Sequence, residues 1–330
     1  MIGKKKKISA VEIFGGYGIA FVLVFLVALF SLLNSNFLSG MNILNLFRQN
    51  SIQGIIAVGM TMVLISGGID LSVGSIAGLA SVCCALLLKI QNETGNYLLP
   101  WWLCCLIVLA GGLVLGMFNG FLINQLSLPP FIATLGTMTS VRGVCYLMTQ
   151  AKPVTGFNTG ALFLGKGEVF SIPVPFIIMV LCFLAGILFM SKTRWGTYIY
   201  GVGGNEEATR LSGISPKKIK YIVYSANGVL SALAGIILMA RVSGGQPKGG
   251  SGYEMAIITS VVLGGVSISG GEGKMAFVII GVFIMGVLSN GLIMINISDY
   301  AQQVISGLVL IGAVALNRLM QKQKAKKIRE

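Results

Sequence analysis

Ten apolar runs, most of them about as long as a bilayer crossing, leave this chain few ways to fold. They lie at approximately 14–33, 51–66, 71–90, 101–123, 131–149, 172–190, 219–240, 253–269, 275–295 and 301–319. A helix needs roughly 20 predominantly apolar residues to cross the hydrocarbon core, and shorter runs need tilt or a break. Charged residues make up 10% of the chain, well short of the quarter or so that soluble domains carry. The expectation is an all-α polytopic membrane protein: a single bundle, residues 1–330, with about ten transmembrane helices. The region 51–90 has two open readings, two helices or one span with a re-entrant segment.

The one long polar interruption, Ser191 to Lys220, divides a first group of helices (13–190) from a second (221–319), and a basic tail follows at 320–330. Lys and Arg set the orientation. With the N-terminus in the cytoplasm, seventeen of them fall inside, including Lys4 to Lys7, Lys217, Lys218, Lys220 and the tail. Six fall outside: Arg48, Lys89, Lys152, Lys166, Arg241 and Lys248, while Arg142 lies within a span. Both termini are therefore expected in the cytoplasm. The run from Phe14 to Leu33 is longer than a signal-peptide core and has no small-residue cleavage site after it, so it reads as a retained first helix.

The net charge of +14 does not point to nucleic acid, because the basic residues flank apolar spans rather than line one face. Cys83, Cys84, Cys104, Cys105, Cys145 and Cys182 all sit in apolar runs, and the chain has no histidine. Free buried thiols are expected, and no metal site or cofactor on this chain. Gly160 to Lys166 begins like a phosphate-binding loop, but Gly167 stands where the magnesium-holding Ser or Thr belongs. A Ser/His/Asp arrangement is impossible without histidine, so no enzyme chemistry is expected.

Gly67-Gly68-Ile69-Asp70-Leu71-Ser72-Val73-Gly74 places a carboxylate between two apolar runs. A charge at membrane depth costs about 2.5–3.5 kcal/mol on insertion scales and so faces protein or a wet cavity. One reading is a helix break at the inner mouth of a pathway, with Asp70 and Ser72 as capping or gate contacts to a helix beginning at Leu71. The other is a short cytoplasmic turn with an N-cap. Gly264 to Gly271 echoes this stretch, and Gly116 to Gly120 echoes Gly286 to Gly291, which fits either a duplication or glycine-rich coincidence. Gly112, Gly116 and Gly120 share one helix face and suit close helix packing within the chain. Arg142 and Glu254 are the remaining awkward charges.

Within the polar interruption, Asn205-Glu206-Glu207-Ala208-Thr209-Arg210-Leu211-Ser212-Gly213 reads as a short helix. Asn205 is the N-cap, Glu206 and Glu207 form an acidic first turn pointing to different sides, and Gly213 is the stop. Ala208, Leu211 and Ile214 supply a small apolar face. So short a helix needs a docking surface, its own bundle or a partner.

The stretches 57–75 (AVGMTMVLISGGIDLSVGS), 196–225, 240–254 (ARVSGGQPKGGSGYE) and 261–273 (VVLGGVSISGGEG) resemble the integral membrane permease of bacterial ABC importers for ribose and related simple sugars. The likeness runs in order from about Phe37 to about Ala315. It implies a multi-pass permease of the bacterial inner membrane that pairs with a second permease copy. It also implies an extracytoplasmic sugar-binding protein and a separate ATP-binding subunit that carries the ATP and magnesium. The segment Gly204 to Gly213 corresponds to the part that contacts that subunit. Gly67, Gly68, Asp70, Ser72, Gly264 and Gly265 are candidates for a gate or pathway break. Asn119, Asn124, Thr134, Thr137, Asn227 and Asn290 are candidates for the sugar path. The rival from another class is an ion-coupled secondary transporter of a small polar solute, for which Asp70 is the candidate carboxylate.

Overall fold

The computed structural model describes residues 18–90, 98–157 and 160–329, so Lys4 to Lys7 and the start of the first apolar run lie outside it. In chain order the helices are α1 (Gly18–Leu33), α2 (Gly40–Ile65), α3 (Val73–Lys89), α4 (Trp101–Asn124) and α5 (Pro130–Thr149). A 3-10 turn (Gly160–Leu162), a single turn α6 (Phe163–Lys166) and a two-stranded hairpin, β1 (Glu168–Val169) with β2 (Ile172–Pro173), follow. Then come α7 (Val174–Lys192), α8 (Arg194–Gly204), α9 (Glu206–Leu211), α10 (Pro216–Val242), α11 (Tyr253–Leu263), α12 (Met275–Met294) and α13 (Asp299–Arg329). Among the described residues, α4, α5, α7, α10 and α12 are long and apolar enough to cross a membrane, and α1, α3, α11 and Tyr300–Ala315 of α13 are shorter apolar helices.

The region 51–90 resolves as two helices, and the first of them begins well before residue 51. Ser39 caps it by accepting the Asn42 N–H, and from Asn50 to Ile65 nearly every residue is buried. The run 253–269 is helical only as far as Leu263, where Gly265 at φ +84° turns the chain out of the helix. After α10, residues 243–252 are non-helical and turn back along α3, and only then does α11 begin. A Cβ on Gly78 would lie 2.6 Å from the Gly249 carbonyl, and the Gln246 N–H donates to Ser81 Oγ at 3.2 Å. Irregular backbone at membrane depth persists only where protein or a wet cavity covers it.

α10 is the hub, packing on α2, α3 and α4. Helices in lipid gain little from hydrophobic burial against one another and associate through close packing of small residues. The expected glycine face of α4 does this within the chain. A Cβ on Gly112 would lie 2.6 Å from the Gly228 carbonyl of α10, one on Gly116 2.8 Å from the Ser225 Cα, and one on Gly120 2.8 Å from the Tyr221 ring. Large apolar side chains of α1, α4 and α7, among them Phe21, Leu106 and Leu188, stay exposed on the outer surface, as suits lipid contact.

These contacts predict that Gly116→Val separates α4 from α10 and destabilises the chain by about 1–3 kcal/mol. Gly111→Val is the control, because a Cβ there meets nothing within 4 Å. Melting of the two variants in detergent checks this: Gly116→Val should melt lower than the unsubstituted chain and Gly111→Val should not.

Candidate functional site: a surface helix seated on two chain breaks

The short helix forms as its residues dictate. Asn205 Oδ1 accepts the Ala208 N–H at 2.9 Å, closing the first turn. At the other end Gly213 adopts φ +83°, its N–H reaches the Arg210 carbonyl at 3.0 Å and the Ile214 N–H reaches Thr209 at 3.3 Å, a Schellman motif. The two glutamates diverge. Glu206 binds Lys220 at the start of α10 at 2.8 Å, whereas Glu207 pairs with Arg210 one turn along α9. The hydrogen bond from Arg210 holds the Glu207 carboxyl below its ordinary pKa, so the pair is ionised at neutral pH and is lost only as pH falls through that lowered value. Of the expected apolar face, Ile214 packs on the core, Ala208 is exposed and Leu211 is 75% exposed. Glu207, Arg210 and Leu211 thus form a projecting knob.

α8, which the sequence reading left as polar connection, seats this knob. Thr193 caps α8, and Gly201 lies against the buried Thr209 of α9. At its far end Gly203 meets the last turn of α2: a Cβ there would collide with the Ile65 carbonyl and lie 2.7 Å from the Gly271 nitrogen. The Gly271 N–H itself donates to Ile65 at 2.9 Å, and Tyr200 donates to the Gly273 carbonyl at 2.7 Å. A cavity of about 270 Å³ lies among Ser66, Gly67, Asn205, Glu206, Lys220 and Tyr224.

The two breaks beneath α8 are built alike. α2 and α11 each end in a Schellman motif, with Gly67 (φ +81°) and Gly265 (φ +84°) in the left-handed position. The helix ends are therefore one residue out of the pairing suggested by the sequence echo. The side chains keep that pairing: Asp70 accepts the Ser72 N–H at 2.9 Å, and Ser267 accepts the Ser269 N–H at 3.1 Å. α3 begins at Val73 rather than Leu71.

Asp70 is fully buried and not part of an exposed turn. Its Oδ1 also accepts the Ser72 hydroxyl at 2.6 Å, and its Oδ2 accepts Asn227 Nδ2 at 2.8 Å. Asn119 Nδ2 donates to Ser72 Oγ at 2.8 Å, the Leu71 N–H donates to Thr134 Oγ1 at 3.1 Å, and Tyr224 donates to the Ile69 carbonyl at 3.3 Å. Three of the six path candidates, Asn119, Thr134 and Asn227, therefore hold the break. Thr137 bonds its own helix at Ala133, Asn124 binds the Lys217 carbonyl, and Asn290 pairs with Asn42 at 2.9 Å. Gly68 packs against Tyr224, and Gly264 against Val278 of α12. Tyr224 escaped the sequence reading, as did the contacts of Gly203 and Gly271, since glycines in an apolar chain carry no mark of which neighbour they admit.

Removing the Asp70 carboxylate orphans the Asn227 amide and the Ser72 N–H, each worth about 1–3 kcal/mol when buried without a partner. Asp70→Ala should therefore lower the melting temperature in detergent more than Asp70→Asn, which keeps an acceptor. Equal melting of both variants would contradict the network.

Residues 42–314 match the family described as branched-chain amino acid transport system / permease component. The chain is 44% identical to the ribose import permease protein RbsC of Bacillus subtilis over 90% of each chain. It is 42% identical to the RbsC protein of Haemophilus influenzae over 92% of this chain and 93% of that one. It is 36% identical to the L-arabinose transport system permease protein AraH of Escherichia coli over 97% and 95%. No solved structure matches it. The chain belongs to the branched-chain amino acid transport system / permease component family, and five of its described helices are long and apolar enough to cross a membrane.

Proposed function

We propose that this chain is the membrane-spanning permease subunit of an ATP-driven importer for ribose or a similar monosaccharide. The observation that carries this is identity above 40%, over nine tenths of the chain, to proteins named ribose import permeases. In this reading two copies assemble in the inner membrane, each crossing it ten times with both termini in the cytoplasm. A separate ATP-binding subunit presses on α9, and an extracytoplasmic protein delivers the sugar.

The seat of α9 supports that role. Glu207, Arg210 and Leu211 project outward while Gly203 locks the preceding helix on the ends of α2 and the 264–273 loop. A push on the knob is thus transmitted to the Asp70 break by rigid elements, which is what alternating access requires. Asp70 is sealed by Ser72 and Asn227, which speaks against ion coupling through it.

Substituting Gly213, whose φ of +83° costs a side-chain-bearing residue about 1–2 kcal/mol, or removing Arg210, should uncouple hydrolysis from uptake while the bundle stays inserted. In proteoliposomes with both partners, Gly213→Val and Arg210→Ala should move less sugar per ATP hydrolysed than the unsubstituted chain. An unchanged ratio in both would count against the coupling role. A cysteine at Glu207 should react with an impermeant reagent in inside-out vesicles and be spared in right-side-out ones; the opposite pattern would reverse the orientation.

A further inference from the structure

α5 presents two exposed faces of opposite character. One, with Phe118 and Leu115 of α4, lines an apolar groove along Ile132, Gly136 and Val144. The other opens on a cavity of about 340 Å³ lined by Thr139, Arg142, Tyr146, Ser251, Gly252 and Glu254. That volume lies within the range of small-molecule sites, about 300–1,000 Å³. Lipid suits the first face; the second, apolar at Met138, also carries a guanidinium and a carboxylate that hydrocarbon does not solvate.

The polar face lies along the middle of α5, on its outward side. α5 is one of the helices able to cross, and Arg142 sits about 18 Å along it from Pro130 and about 10 Å from Thr149. Arg142 is anchored, not snorkelling to a surface: Nη1 donates to the Pro247 carbonyl at 2.8 Å and to Gly249 at 2.7 Å. Those carbonyls belong to the non-helical stretch before α11, whose first turn carries Glu254. The two charges do not form an ion pair with each other; both line the cavity. Ionisable side chains at such depth face water or protein, not hydrocarbon.

Resting on the permease reading above, we infer that this face of α5, with Arg142, Glu254, Thr139 and Tyr146, lines the water-filled path taken by a neutral, polyhydroxylated solute. One guanidinium and one carboxylate leave the wall without net charge, whereas a path for ions carries rings of one sign. Fixed donors and acceptors side by side match a ring of hydroxyls, each of which both donates and accepts. The path therefore runs outside the single bundle, along the α5 surface, and not among the internal amides of Asn119 and Asn227.

Thr139→Cys and Val144→Cys, one on each face, test this in native membranes with a trimethylammonium methanethiosulfonate reagent. The unsubstituted chain, whose cysteines are buried or half-buried, sets the background. Thr139→Cys should react at least about tenfold faster than Val144→Cys, given the cost of bringing a charge into lipid. The attached group should block uptake by the importer assembled with its ATPase and binding protein, and Glu254→Gln should cut uptake without lowering the melting temperature. Equal, background labelling at both positions would overturn the inference, as would undiminished uptake after Thr139→Cys is labelled. Fast labelling of Thr139→Cys, together with an unsubstituted assembled importer that moves no monosaccharide, would instead sink the permease reading.

Discussion

A helix that ends inside a membrane bundle leaves carbonyls without partners, and lipid supplies none. This constraint shapes the α9 end of the protein. The Ile65 carbonyl, in the last turn of α2, is satisfied by the Gly271 N–H, and the gap left for Gly203 admits no side chain. Satisfying that one group brings α2, the loop after α11 and the end of α8 to a common point. The surface helix is thus attached through backbone, which flexes less than a side-chain contact.

Beneath that point Asp70 does by hydrogen bonding what the glycines do by close approach. It ties the start of α3 to α10 through Asn227, and to α4 through Ser72 and Asn119. The side-chain oxygens of Asn119 and Asn227 are buried without a partner, while the bonds centred on Asp70 are themselves buried and costly to break. In the proposed importer this gives a stiff inner end, while α5 carries the wall that meets the solute. The non-helical stretch between α10 and α11 links the two, because Arg142 holds its carbonyls and its last residues lead into α11, whose end forms the second break.

Much of this was legible in residues. The apolar runs located the helices, and Asn205, Glu206, Glu207 and Gly213 defined α9 with its caps and its diverging acidic pair. α8 was not legible, because RWGTYIYGVGG is short, glycine-rich and without a strong apolar run. The role of the buried amides was hidden for a different reason. Asn119 and Asn227 are polar residues in apolar helices, and a path and a neighbouring carboxylate both select such residues. The start of α2 was missed because Arg48, Gln49 and Asn50 interrupt its hydropathy, yet Arg48 pairs with Glu168 of the hairpin and Asn50 is buried beside Gly286. Arg142 and Glu254 stood out as misplaced charges, but only the folded chain brings them to one cavity.

If α9 drives the breaks through the seat of Gly203 on α2, as proposed, the ratio of sugar moved to ATP hydrolysed depends on that seat. Gly203→Ala inserts a methyl where the Ile65 carbonyl lies, while Gly204→Ala adds the same methyl where nothing lies within 4 Å. At equal amounts of inserted chain, Gly203→Ala should lower the ratio and Gly204→Ala should leave it unchanged. A Gly203→Ala importer with the unsubstituted ratio would contradict that dependence.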